Sequence, residues 1–122
     1  MNALADGLVV VVALEHLWFL VLEMFLWTKP IGLRTFRQTE ERARATATLA
    51  ANQGLYNGFL AAGLIWGLLA TSADVATSIK LFFLACIVVA GAFGAATVSR
   101  RIFFIQALPA TIAMALVLST RA

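Results

Sequence analysis

The chain has 122 residues, of which 62% are hydrophobic and 12% charged, with a net charge of +3. A soluble domain is about half apolar and a quarter charged, so this composition describes an integral membrane protein of one short domain. Seven of the nine basic residues fall in two short connections, which reads as a topology signal and excludes nucleic acid as a partner.

The first segment, residues 8–27, reads LVVVVALEHLWFLVLEMFLW and is long enough to cross a bilayer. It is no cleaved leader, because the stretch before it holds Asp6 and no basic residue and the apolar run is too long. Inside it lie Glu15, His16 and Glu23. A charge at membrane depth costs at least ~2.5–3.5 kcal/mol, so such residues face a protein interior or a watery cavity. His16 and Glu23 are seven positions apart, on one helix face and roughly 10 Å apart along the axis. They cannot share one metal ion from this helix alone.

Residues 28–44 form the first loop, with Lys29, Arg34, Arg37, Arg42 and Arg44. Lys29-Pro30-Ile31-Gly32 is a turn signal that ends helix one. Thr39 is placed to cap a new helix, with Glu40 and Glu41 in its first turn. The Ala-rich run that follows extends this helix about two turns beyond the membrane.

The second span covers residues 45–69. Gln53 and Asn57 form an i,i+4 pair, as do Asn52 and Tyr56, and together they make a broad polar face. Gly54 and Gly58, then Gly63 and Gly67, repeat the spacing that lets membrane helices approach closely.

The third span covers residues 79–98 and the fourth residues 102–118. Arg100 and Arg101 fill a connection so short that these two helices form a tight hairpin. Gln106 sits about one turn into helix four, and Pro109 just beyond is set to kink it. Cys86 is the only cysteine, which excludes an internal disulfide and reads as a packing residue. Trp27 and Trp66 lie near span ends, as interfacial anchors do.

The expected fold is therefore an all-α integral membrane bundle of four transmembrane helices in a single domain. The two basic connections share a side, and the opposite side has only Lys80 and Arg121. The positive-inside rule places loops one and three in the cytoplasm and both termini outside. With that orientation each helix offers polar groups at a similar level in the cytoplasmic half.

Two bland readings stand beside the functional one. Glu23 can be a structural carboxyl hydrogen-bonded to Gln53 or Asn57, and the amides can be glue between helices. The functional reading makes Glu15, His16, Glu23, Asn52, Gln53, Tyr56, Asn57 and Gln106 a ligand-binding or proton-handling site. Arg37, Arg42 and Arg100 would then hold an anionic head group. Three functions compete: binding of a small amphiphile or lipid, non-enzymatic assembly, and proton or ion movement along Glu15, His16 and Glu23. No P-loop, dinucleotide fingerprint, HExxH or GxSxG is present, and one His with one Cys cannot build a zinc site. No metal and no cofactor is expected.

The phrases LEHLWFLVLEMFLW, LAANQGLYNGFLAAGLIWG and GAATVSRRIFFIQALPA, in that order, closely resemble the bacterial membrane family called domain of unknown function 1304. The likeness covers nearly the whole chain and implies a small four-helix protein of the bacterial inner membrane. A more remote resemblance is to the membrane-associated eicosanoid and glutathione metabolism family, on Arg44, Asn52 and Tyr56. That pattern's Glu is replaced here by Leu55, and its second Arg has no counterpart near Thr48. The resemblance implies a homo-oligomer, dimer or trimer, with a site between subunits facing the cytoplasm.

Overall fold

The structure, a computed structural model, describes residues 2–120; Arg121 lies outside them. The chain folds into α1 (Ala3–Met24), α2 (Pro30–Phe36), α3 (Glu40–Leu69), α4 (Ala73–Thr97), α5 (Arg100–Ile102), a π-helical turn (Phe103–Ala107) and α6 (Leu108–Ser119). The last three run on as one helix of 20 residues, Arg100–Ser119. No strand occurs among the described residues.

Three helices are long and apolar enough to cross a membrane: Ala3–Met24, Ala73–Thr97 and Arg100–Ser119. The longest helix, α3 with 30 residues, is not among them. Asn52, Gln53, Asn57 and the glycines dilute its hydropathy, although its length of about 45 Å exceeds a bilayer core. Burial is arranged as a membrane requires. Phe82, Val89 and Phe93 lie exposed, whereas His16, Glu23 and Lys80 are buried. In water that pattern would strand large apolar side chains in solvent.

Helix ends follow local chemistry. Asn2 Oδ1 accepts from the backbone N–H groups of Leu4 (2.9 Å) and Ala5 (3.2 Å), so α1 begins five residues before the expected apolar run. It stops at Met24, three residues short of the expected end, and Pro30 opens α2. Proline suits a first helical turn because its missing N–H would have no partner there. Gly32 lies against the carbonyl of Leu26, and any larger residue would strike it.

The seven residues of α2 end in a Schellman turn. Arg37 N–H donates to Arg34 O (3.3 Å), and Gln38 N–H donates to Leu33 O (3.1 Å). Arg37 holds the left-handed conformation this turn needs (φ 52°, ψ 50°), which usually falls to glycine.

Thr39 caps α3 as expected, its Oγ1 accepting from Arg42 N–H at 3.2 Å. Ser72 caps α4 by accepting from Val75 N–H (3.5 Å), so that helix starts six residues before residue 79. Ser99 Oγ accepts from Arg101 N–H (3.2 Å) and restarts the chain after the two-residue break at Val98 and Ser99. The tight hairpin is present.

Pro109 acts through the turn before it. Leu108 N–H reaches back five residues to Phe103 O, the π-helical pattern. The extra residue widens the turn where the proline ring would crowd a carbonyl. Ala107, in this turn, is fully buried. Gly91 of α4 faces it so closely that an added Cβ would sit 2.7 Å from Ala107 Cβ and 2.8 Å from its backbone N.

By internal contacts the described chain divides into two compact units. One is Leu14–Ala61, holding the second half of α1, α2 and most of α3. Its buried residues include Leu22, Ala43, Ala50 and Ala61. The other runs up to Ala13 and from Ala62 onward. There Val9, Val12, Leu64, Leu84, Ile87, Ala107, Ala110 and Ala113 form the core. Cys86 is half-buried, in an apolar groove along α4 between Phe82 and Phe93.

Candidate functional site

In the Leu14–Ala61 unit, glycine spacing on α3 decides how near α1 can come. An added Cβ on Gly54 would meet Met24 Cγ at 2.8 Å and Glu23 Cβ at 3.0 Å, and one on Gly58 would meet Leu20 Cδ1 at 2.7 Å. That close approach lets Asn57 Nδ2 donate a hydrogen bond to Glu23 Oε1. Both residues are buried, at 8% and 5% exposure. A carboxyl removed from solvent needs such a donor, because a buried polar group without one costs several kcal/mol, roughly 1–3 on protein scales.

His16 is fully buried, and its ring meets the edge of Phe19 with centroids 5.2 Å apart. Its Nδ1 lies 3.9 Å from Glu15 Oε1, beyond hydrogen-bond reach. Glu15 Oε1 has no hydrogen-bond partner among the described residues and its side chain is 23% exposed. The two neighbours are near enough for an electrostatic contact but share no hydrogen bond.

Of the α3 amides, only Asn57 is inside. Asn52, Gln53 and Tyr56 are exposed, and Asn52 Nδ2 donates to Tyr56 OH at 3.4 Å. The structure therefore joins Glu23 to Asn57 and Asn52 to Tyr56. It gives Gln53 no hydrogen bond to a described residue. Gln106 belongs to the other unit, where it lies half-buried in the π-helical turn. Arg37, Arg42 and Arg100 are all exposed.

Two interactions escape a linear reading. Trp27 Nε1 donates to Thr46 Oγ1 (3.1 Å) and its ring lies 4.7 Å from that of Phe36, which ties the end of α1 to α2 and the start of α3. In the other unit Lys80 Nζ donates to Asp6 Oδ1 at 2.7 Å, with side-chain exposures of 8% and 20%. Gly67 leaves room for the lysine stem: an added Cβ would meet Lys80 Cγ at 2.8 Å. Phe83 fills the space over Gly63. Both pairs of spaced glycines are thus occupied by neighbours in the same chain.

Among the described residues no group of three or more His, Cys, Asp or Glu side chains could hold a metal ion. What the arrangement offers chemically is hydrogen bonding: a buried carboxyl–amide pair, with two amides and a phenol exposed beside it.

These features define an all-helical protein with three helices long and apolar enough to cross a membrane and a polar pair buried between α1 and α3. The chain belongs to the family described as "Protein of unknown function (DUF1304)", whose model matches residues 10–118. It is 31% identical over 108 residues to "Uncharacterized protein YpaA" of Lactococcus lactis subsp. lactis (strain IL1403), a match covering 87% of this chain and 89% of that protein. No solved structure matches. These comparisons give no support to the remote resemblance to the eicosanoid and glutathione family, and of its three α3 residues Arg44 is engaged with Glu40 (2.6 Å).

Proposed function

We propose that this protein is a four-span component of the bacterial inner membrane that binds a small amphiphile in its cytoplasmic half. In this reading α3 crosses the bilayer beside the three more apolar helices, both termini lie outside, and α2 lies inside. The buried Glu23–Asn57 pair carries the proposal. It forms the inner wall of the site, and Asn52, Gln53 and Tyr56 present donors and acceptors to the ligand's polar end. Asn52 precedes Asn57 by five residues, about 7 Å along the axis. It therefore lies toward the level of Thr46 and Trp27, an indole typical of the head-group region. A ligand with a polar end at Asn52 and an apolar tail reaching deeper fits that gradient. The exposed Arg37 and Arg42 of the same unit complete the set, for an anionic head group.

Native mass spectrometry of gently purified protein tests this, wild type beside Glu23→Gln and Asn57→Ala. A discrete co-purifying mass that both variants lose supports the reading. Retention of that mass in both variants sinks it.

A second reading is an assembly subunit, favoured by the same exposed face of α3. Amides and a phenol both donate and accept, so a second copy could satisfy them symmetrically. Cross-linking through cysteines placed on that face tests it, and a strictly monomeric protein in lipid argues against it.

A further inference from the structure

We propose that α2 and its flanks, Phe25 to Arg37, form a docking surface for anionic phospholipid head groups. This shares Arg37 with the proposed polar site but rests on Lys29, Arg34 and the apolar side chains beside them, and holds whether or not that site takes a ligand. From Phe25 to Thr39 the chain contains Lys29, Arg34 and Arg37 and no acid. All three cations are exposed, and none makes an ion pair with a described residue. Arg44 and Lys80, by contrast, are neutralised by Glu40 and Asp6.

Exposed apolar side chains alternate with these cations: Phe25, Ile31 and Phe36. A basic surface for a soluble anionic partner would leave these groups in water. A lipid surface covers them while phosphates meet the cations, the pattern of interfacial segments. The long stems of lysine and arginine can lie along apolar surface with their charges at phosphate level.

The segment is also held in place. Trp27 is fixed to Thr46 and packs on Phe36, and Gly32 is wedged against Leu26 O. Arg37 sits in a left-handed conformation that disfavours a side chain. A rigid surface presents its three cations together, so each phosphate contact costs less ordering.

The test uses the full chain in a Trp18→Phe, Trp66→Phe background, leaving Trp27 as the reporter. It is reconstituted in phosphatidylcholine vesicles with a minor share of phosphatidylglycerol, with bromine on one lipid or the other. Brominated phosphatidylglycerol should quench Trp27 several-fold more than the same amount of brominated phosphatidylcholine. The preference should shrink in each of Lys29→Gln, Arg34→Gln and Arg37→Gln and be lost when all three are combined. It should return in Arg34→Lys. Equal quenching by the two lipids, no quenching by either, or a preference unchanged in the triple variant would overturn the proposal. An unshifted Trp27 emission maximum in detergent shows that the variants keep the fold.

Discussion

Lys80 and Asp6 stand 74 positions apart in sequence and 2.7 Å apart in space, joined where Gly67 leaves the lysine stem its path. Each is set among apolar residues, so each is the other's compensation. Removing one partner strands the other. Lys80→Met or Asp6→Asn should each cost about 3 kcal/mol, whereas the double variant should cost clearly less than their sum. Thermal unfolding in a mild detergent reads this cycle. Strictly additive losses would mean that the pair is not coupled.

The Glu23–Asn57 pair yields a similar cycle with a different chemistry. Asn57→Leu leaves the carboxyl without its donor and should destabilise by about 1–3 kcal/mol. Glu23→Leu combined with Asn57→Leu should recover part of that loss, since two apolar groups leave no buried polar atom. If the double variant is stable yet loses the co-purifying mass, the pair serves function beyond folding.

Glycines at two positions should respond in opposite directions. Gly91→Leu drives a side chain into the backbone of Ala107 and should cost at least about 2 kcal/mol through overpacking. Gly7 has open space around it in α1, so Gly7→Ala should gain up to about 1 kcal/mol in helix propensity. Denaturation midpoints of the two variants beside wild type check both signs.

Orientation can be read from single cysteines in a Cys86→Ser background. With α3 crossing the membrane, Thr39→Cys and Ser72→Cys lie on opposite sides, and Ser99→Cys on the side of Thr39. An impermeant maleimide applied to intact cells should label Ser72→Cys only. Labelling of both Thr39→Cys and Ser72→Cys would show that α3 does not cross. The pairing of Lys80 with Asp6 sharpens the charge asymmetry behind this expectation. It neutralises the one described basic residue assigned to the outer side.

Much of the frame was legible from local chemistry. Thr39 and the acids after it announce the start of α3, and Ser99-Arg100-Arg101 announces the tight hairpin. The missed starts of α1 and α4 have one cause. Hydropathy drew the boundary at the apolar run, while Asn2 and Ser72 cap turns that include polar residues. The seven-residue α2 escaped because its proline and glycine read as a turn. The i,i+4 spacing of Asn52 and Tyr56 predicts their hydrogen bond. Which amide would meet Glu23 was undecided between Gln53 and Asn57, since helix rotation depends on how Gly54 and Gly58 seat against α1. The Lys80–Asp6 contact needs two helices brought together, and no local pattern carries that information.

The π-helical turn at Phe103–Ala107 has a consequence for the length of the chain itself. One surplus residue there turns all that follows by about 100° relative to an uninterrupted α-helix. In that rotated setting Ala110, Ala113 and Val117 are buried. Deleting a single residue between 103 and 107 would give a more regular helix and swing this face away from its neighbours. The irregularity acts as a one-residue gear between Arg100 and Ser119, and a shorter, straighter sequence would mesh with the wrong side.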